Sequence, residues 1–173
     1  MRPITPVTAV TAATVVACAL LFAACASGTP KPKEPLLLDL AVNAAPSVNP
    51  DDRNRAAPIV VRVYELKTDG TFNAADFFTL QDRDKTVLAD DLVAREQFLL
   101  RPGEHRAIKR KADPATTALG VVAAYRDLPH AVWRAVYPLP AAHDAAWYRV
   151  WSSKLKLTID LDSNAVKITE PAK

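Results

Sequence analysis

Between residues 154 and 161 the chain reads Lys-Leu-Lys-Leu-Thr-Ile-Asp-Leu. Leu155, Leu157, Ile159 and Leu161 fall on one side of a two-residue repeat, with Lys154, Lys156, Thr158 and Asp160 on the other. A helix would scatter these apolar residues around its circumference, whereas a strand lines them up on one face. The same repeat recurs upstream. Leu36, Leu38, Leu40 and Val42 share one face, and Ile59, Val61 and Val63 share the next, with Arg62 opposite. Thr117, Leu119, Val121 and Tyr125 line another, backed by the small Ala118, Gly120 and Ala124. Residues 132–138 read as a further strand. Residues 96–101 and 105–111 flank Pro102-Gly103, a hairpin signal, and a tight turn at Asp162-Ser163-Asn164 returns the chain into Val166 and Ile168. About eight short strands at this spacing predict an all-β domain, a two-sheet β-sandwich over residues 36–173. The exception is a short helical insertion near residues 73–92. Asn73 is placed to cap a helix carrying Phe77, Phe78 and Leu80, and residues 86–92 add a turn or two.

The first 24 residues follow another rule. They hold 17 apolar residues and one charge, Arg2. A short positive start followed by an uncharged apolar run reads as a secretory signal peptide. The run ends Leu21-Phe22-Ala23-Ala24-Cys25. Small residues directly before a Cys resemble the lipobox of bacterial lipoproteins, in which the chain is cut before the Cys and the Cys is acylated. Cys25 is the lipid attachment residue on this reading. Cys18 competes, but acylation there would leave the apolar stretch 19–24 just after the lipid. An uncleaved N-terminal anchor is the alternative, with nearly the same topology. Residues 25–35 then form the acylated Cys and a polar, Pro-rich tether that buries too little to fold. Both cysteines are consumed, so the domain has no disulfide and no thiol chemistry. Ser27, rather than Asp, two residues after Cys25 is similar to lipoproteins sorted to the outer membrane.

With this segment set aside, about 47% of the remainder is apolar, an ordinary soluble-domain value. The formal charge of +3 falls to +2 without Arg2. These values exclude a multi-span membrane protein, a disordered chain and a strongly basic nucleic-acid binder.

A search for chemistry returns little. His105, His130 and His143 share no metal-ligand spacing. Asp82-Arg83-Asp84 lacks the Gly and closing Glu of a calcium loop and reads as a solvated turn. There is no Gly-x-Ser-x-Gly elbow and no Gly-rich phosphate loop. The adjacent pairs Asp51-Asp52 and Asp90-Asp91 do not suit two-carboxylate glycoside chemistry. No cofactor is expected beyond the covalent lipid, and no metal. The basic run 106–111 is either a contact for an anionic surface or an edge strand guarded by Lys and Arg. Trp133, Trp147, Tyr148 and Trp151 form either a stacking platform or core and rim packing.

The segment 45–57 is longer than a hairpin needs and carries two Pro, both charge signs and no Gly. It is either a binding loop on a rigid sandwich or a solvated crossover between sheets.

Taken in order, several pieces resemble a known family. They are the lipobox Cys25, a first strand ending at Asn43, and Asn49-Pro50-Asp51 in the loop. Pro58-Ile59-Val60-Val61-Arg62-Val63-Tyr64-Glu65-Leu66 and Phe72-x-x-Ala75-Asp76-Phe77-Phe78 follow. Pro102-Gly103-Glu104, Gly120-Val121-Val122-Ala123-Ala124-Tyr125-Arg126-Asp127 and Trp133-Arg134 complete the set. From Cys25 to about residue 137 the chain resembles the TssJ (SciN/VasD) lipoproteins of type VI secretion systems. The resemblance implies a transthyretin-like β-sandwich with an added helical segment. It implies an outer-membrane lipoprotein facing the periplasm, with no enzymatic activity, nucleic acid or small-molecule substrate. The implied partner is the periplasmic C-terminal domain of the inner-membrane protein TssM, which with TssL builds the trans-envelope complex. In the family the loop between the first two strands contributes to that contact. Here this implies Val48, Asn49, Pro50 and Asp51, followed by Asp52, Arg53 and Asn54. Two rival readings stay open. One is a cell-wall or carbohydrate-binding periplasmic lipoprotein using the Trp residues and the basic run. The other is an enzyme on a transthyretin-like fold, similar to hydroxyisourate hydrolases, which need clustered His and Arg.

Overall fold

The computed structural model describes residues 33–141 and 153–171. Among them are eight strands: β1 (Leu37–Ala44), β2 (Ile59–Leu66), β3 (Leu92–Leu100), β4 (His105–Lys111), β5 (Ala118–Ala123), β6 (Arg134–Pro138), β7 (Lys154–Leu161) and β8 (Val166–Thr169). They form two four-stranded sheets, in the orders β4-β1-β7-β8 and β3-β2-β5-β6. β1 and β7 pair in parallel, and the other pairings are antiparallel. The two-sheet sandwich expected from the alternation is the fold observed.

The alternation explains the core. Leu38, Leu40, Val42, Leu155, Leu157, Ile159 and Leu161 of one sheet are buried against Ile59, Val61, Val63, Leu119, Val121 and Ala123 of the other. Each apolar side chain removed from water contributes on the order of 2 kcal/mol, so these inner faces dominate cohesion. Toward the start of β1 the interior turns polar. Glu65 is buried, with its Oε1 2.7 Å from Arg110 Nε as an ion pair, and its Oε2 accepts the Thr116 hydroxyl at 3.1 Å.

The helical insertion covers the outer face of the second sheet. It contains α1 (Gly70–Ala74), α2 (Phe77–Leu88) and a 3-10 turn at Ala89–Asp91. Tyr64, Leu66, Phe72, Leu80, Leu88, Ala118 and Val122 form a second core beneath it. β5 is therefore buried on both faces. Gly120 is required there. A Cβ at this position would lie 2.7 Å from the Phe72 ring. Arg134 ties the insertion to β6, donating from Nη1 to the Phe72 carbonyl at 2.8 Å and the Ala75 carbonyl at 2.9 Å.

Three local expectations are corrected. The helix cap is Asp76, whose Oδ1 accepts the Thr79 N–H at 3.0 Å. Asn73 instead lies inside α1, donating to Asp69 Oδ2. Phe78 lies on α2 as expected, on its outer side and 62% exposed. Asp84 is no solvated turn residue. It is buried, accepting from Tyr64 Oη at 3.0 Å and Arg95 Nη1 at 2.5 Å. Pro102-Gly103 makes a corner between sheets rather than a hairpin, since β3 pairs with β2 while β4 pairs with β1.

β4 is an edge strand. Arg106 and Arg110 turn toward the other sheet. Arg106 lies over the Phe98 ring at 4.5 Å, and both arginines meet Glu96, at 2.8 and 3.3 Å. These pairs close one side of the sandwich. A parallel bridge between Val132 and Ala165 closes the other.

Candidate functional site

β1 runs from one end of the sandwich to the other, roughly 25 Å at strand rise. The chain enters it at Leu37, whose N–H bonds Ser153 O at 2.8 Å. It leaves β1 into the 45–57 loop. The turns at 101–104, 124–133 and 162–165 gather at that same exit end, because β3–β4, β5–β6 and β7–β8 all connect there.

The loop is built inward before it presents anything outward. Val48 is fully buried and belongs to the sandwich core. Its N–H bonds Ala45 O, and its carbonyl accepts Ala57 N–H at 3.1 Å, closing the loop's base. Asn49 follows at φ 50, a left-handed conformation that Asn tolerates better than most residues. It is 4% exposed and bonds three other segments. Its N–H donates to Ser163 O at 3.1 Å, its Nδ2 donates to Pro58 O at 2.9 Å, and its Oδ1 accepts Arg126 N–H at 2.8 Å. The Ser47 and Ser163 hydroxyls add a contact at 2.8 Å, and Tyr125 Oη donates to Asp162 O at 3.1 Å. Burial pushes the Tyr125 hydroxyl pKa up, which keeps that proton in place.

Asp51 organises the tip. Its Oδ1 accepts the N–H groups of Arg53 and Arg55, both at 2.9 Å. Its Oδ2 accepts Arg55 Nε at 2.8 Å and pairs with Nη2 at 2.6 Å. The Arg55 side-chain hydrogen bond, then the Arg55 and Arg53 N–H groups, hold the Asp51 carboxyl below the usual range. Asn54 takes the second left-handed position, φ 58, with its N–H on Asp51 O at 2.8 Å. The two asparagines thus do without Gly what a tight loop needs.

The seven loop residues therefore divide. Val48 and Asn49 are interior supports and offer a partner no surface in this conformation. Pro50 and Asp51 are half-buried, while Asp52, Arg53 and Asn54 are exposed. Arg55, Arg126 and Ser163 belong to the same construction. Arg55 was legible from its place four residues after Asp51. Arg126 and Ser163 were not, because the atoms they contribute reach the loop only through the fold.

Among the described residues the other candidates assemble no chemistry. His105 Nδ1 faces Asn43 Oδ1 at 3.1 Å, and His130 Nδ1 faces Asp127 Oδ1 at 2.8 Å, as two separate pairs. His143 lies outside the described residues. Among the described residues no three His, Cys, Asp or Glu side chains gather to hold a metal. A concavity of about 420 Å³ beside α2 is lined by Val60, Arg62, Phe77, Asp82, Gln97 and Val122 among others, with no hydroxyl, thiol or imidazole. Its Arg62 is engaged, donating to Gln97 Oε1 and to the carbonyls of Leu80 and Gln81. Trp133 stacks edge-on against Phe77 at 5.4 Å and under Arg134 at 4.8 Å. Trp147, Tyr148 and Trp151 lie outside the described residues, as do Cys18, Cys25 and the tether up to residue 32.

Comparison with known proteins gives a consistent picture. Residues 37–164 match the family described as the type VI secretion lipoproteins VasD, EvfM and TssJ. Among solved structures, the lipoprotein TssJ1 of Pseudomonas aeruginosa is 41% identical, with a TM-score of 0.71 over 80% of this chain and 98% of that one. Serratia marcescens Lip, a membrane-bound component of the type VI secretion system, is 30% identical, with a TM-score of 0.69 over 80% and 99%. A chain of a solved type VI membrane complex is 25% identical, with a TM-score of 0.63 over 79% and 98%. No curated protein sequence matches. A match across most of the two-sheet domain, at this identity, leads to one conclusion: the chain belongs to the type VI secretion lipoprotein family, whose members are structural components and not enzymes.

Proposed function

We propose that the protein is an outer-membrane lipoprotein, acylated at Cys25 after removal of residues 1–24, with its domain in the periplasm. Its partner is the periplasmic C-terminal domain of TssM, and the 45–57 loop carries the contact. One observation supports this most. The loop is pre-formed at the end of β1 away from the tether, with Asn49 bonded to three segments and the polar tip Asp52-Arg53-Asn54 left outside. A loop already ordered loses little conformational entropy on binding. The relatives' place in a secretion-system membrane complex supports the same partner class.

The test is binding of residues 36–173 to the purified periplasmic domain of TssM. Asp52→Ala with Arg53→Ala changes only exposed side chains. The double variant is expected to lower affinity by tenfold or more, with thermal stability within about 0.5 kcal/mol of the parent. Unchanged affinity would move the contact away from this loop.

A further inference from the structure

Strand alternation splits the basic run into two faces. Arg106 and Arg110 point to the other sheet, so Lys109 and Lys111 stand on the outer face. β1 lies beside β4, and β7 lies beyond β1. The register aligns three strands. Lys111 and Lys154 flank Leu37, and Lys109 and Lys156 flank Asp39. Neighbouring strands lie about 4.8 Å apart, so each lysine pair spans roughly 10 Å. The two rows are two residues apart, roughly 7 Å. Four lysines and one aspartate leave three net positive charges on this small area. All four lysines are exposed, and Lys154 Nζ rests 2.9 Å from Asp39 Oδ2. An open cleft of about 350 Å³ runs among Leu37, Asp39, Lys109, Lys111 and Lys154.

Edge protection accounts for a lysine on each outer strand but not for their alignment. Lysines on β4 guard an edge strand against pairing with another chain. β8 pairs only with Thr158–Leu161 of β7, so Lys154 and Lys156 also lie on a stretch flanked by a strand on one side alone. Yet guarding two separate edges does not call for four lysines aligned in two rows around Leu37 and Asp39. Like charges gathered on one face repel unless an anionic surface meets them. The array also sits at the end of β1 where the tether joins.

We propose that this lysine array docks the domain onto the anionic phospholipid headgroups of the bilayer that holds the tether. The proposal rests on Cys25 as the anchor for its cellular setting, but its test omits the acyl group, so the two readings fail separately. Lysine ammonium groups meet headgroup phosphates as point charges, and each one near an anionic surface multiplies affinity about fivefold. Leu37 adds a small apolar contact at the centre.

The experiment uses the unacylated chain from residue 26 onward. All eight strands lie between Leu37 and Thr169, and the solved TssJ1 and Lip chains match 80% of this chain over 98–99% of their own length. That extent therefore folds without the N-terminal segment. The chain is sedimented at low salt with phosphatidylcholine vesicles, with or without about one third phosphatidylglycerol, and with purified cell-wall sacculi. It is expected to sediment with the anionic vesicles alone and to be released by salt, as screening requires. Lys109→Gln with Lys156→Gln is expected to lower partitioning roughly 25-fold, while Lys67→Gln with Lys85→Gln leaves it unchanged. Amine labelling of the unmodified chain provides a readout free of folding effects. Anionic vesicles should shield Lys109, Lys111, Lys154 and Lys156 relative to Lys67 and Lys85. Equal sedimentation with both vesicle types, retention by the double variant, uniform labelling or preference for sacculi would each overturn the proposal.

Discussion

Asn49 Oδ1 accepts the backbone N–H of Arg126 at 2.8 Å, joining the first long loop to the turn between β5 and β6 across 77 residues of sequence. The same side chain donates to Pro58 O, so one buried amide fixes both the loop's exit and its neighbour.

Asn49→Ala removes both bonds, leaves the part-buried Arg126 N–H without this acceptor and puts a Cβ-only residue at φ 50. The expected loss is about 2–4 kcal/mol of unfolding free energy. Asn49→Gly, which relaxes the backbone but not the bonds, should lose less. Urea denaturation of the two variants separates the terms. In the proposed assembly, both should also weaken partner binding more than their stability loss explains, because the tip is no longer held.

Gly120→Ala forces a Cβ to within 2.7 Å of the Phe72 ring, which Tyr64 packs against at 5.3 Å. Overpacking here should cost about 1–3 kcal/mol. Phe72→Leu vacates part of that space, so the double variant should fall short of the sum of the two singles. A double-mutant cycle by thermal denaturation measures the coupling.

Acid stability should depend on Asp84. Burial alone would raise its carboxyl pKa, but hydrogen bonds from Arg95, Tyr64 and the Lys85 N–H, with the Arg95 charge, outweigh this and hold it below the usual 3.8. A carboxyl depressed in the folded state contributes stability above its unfolded pKa. That contribution is lost as pH falls below about 4 toward the folded value. Burial in turn pushes the Tyr64 hydroxyl up to about 12, so it remains a donor throughout. Asp84→Asn should therefore be less stable at neutral pH, and its stability should change less between pH 4 and pH 2. Chemical denaturation across that range checks the slope.

Cys25→Ser should release the protein from the membrane fraction into the soluble periplasm and stop secretion. Fractionation of whole cells reads this directly. Persistence in the outer membrane would place the lipid elsewhere.

Strands that bury one face were legible because their alternation is a direct imprint of water on one side and core on the other. Leu155 to Leu161 and Ile59 to Val63 took the predicted inward positions. The helical insertion was legible in place but not in effect. Nothing in Ala118-Leu119-Gly120 says that a helix 30 residues upstream lies over it. Pro102-Gly103 fits a hairpin and an inter-sheet corner equally well, since both need the same tight reversal. Asn73 and Asp76 are both capping types, and only the register of the helix decides between them. In the loop, chain position marked the segment, yet Val48 and Asn49 are interior. One apolar residue between polar neighbours does not announce that it plugs a core.

The geometry of β1 has a mechanical consequence. In the proposed assembly, the tether pulls on its first residue and the partner pulls on the loop that begins directly after its last. The load path is then a single strand, already near its full contour length at about 3.3 Å per residue. Tension along that line finds almost no slack to take up. It passes from the membrane side to the partner side through covalent bonds, while the ladders to β4 and β7 act as lateral bracing and carry little of the pull.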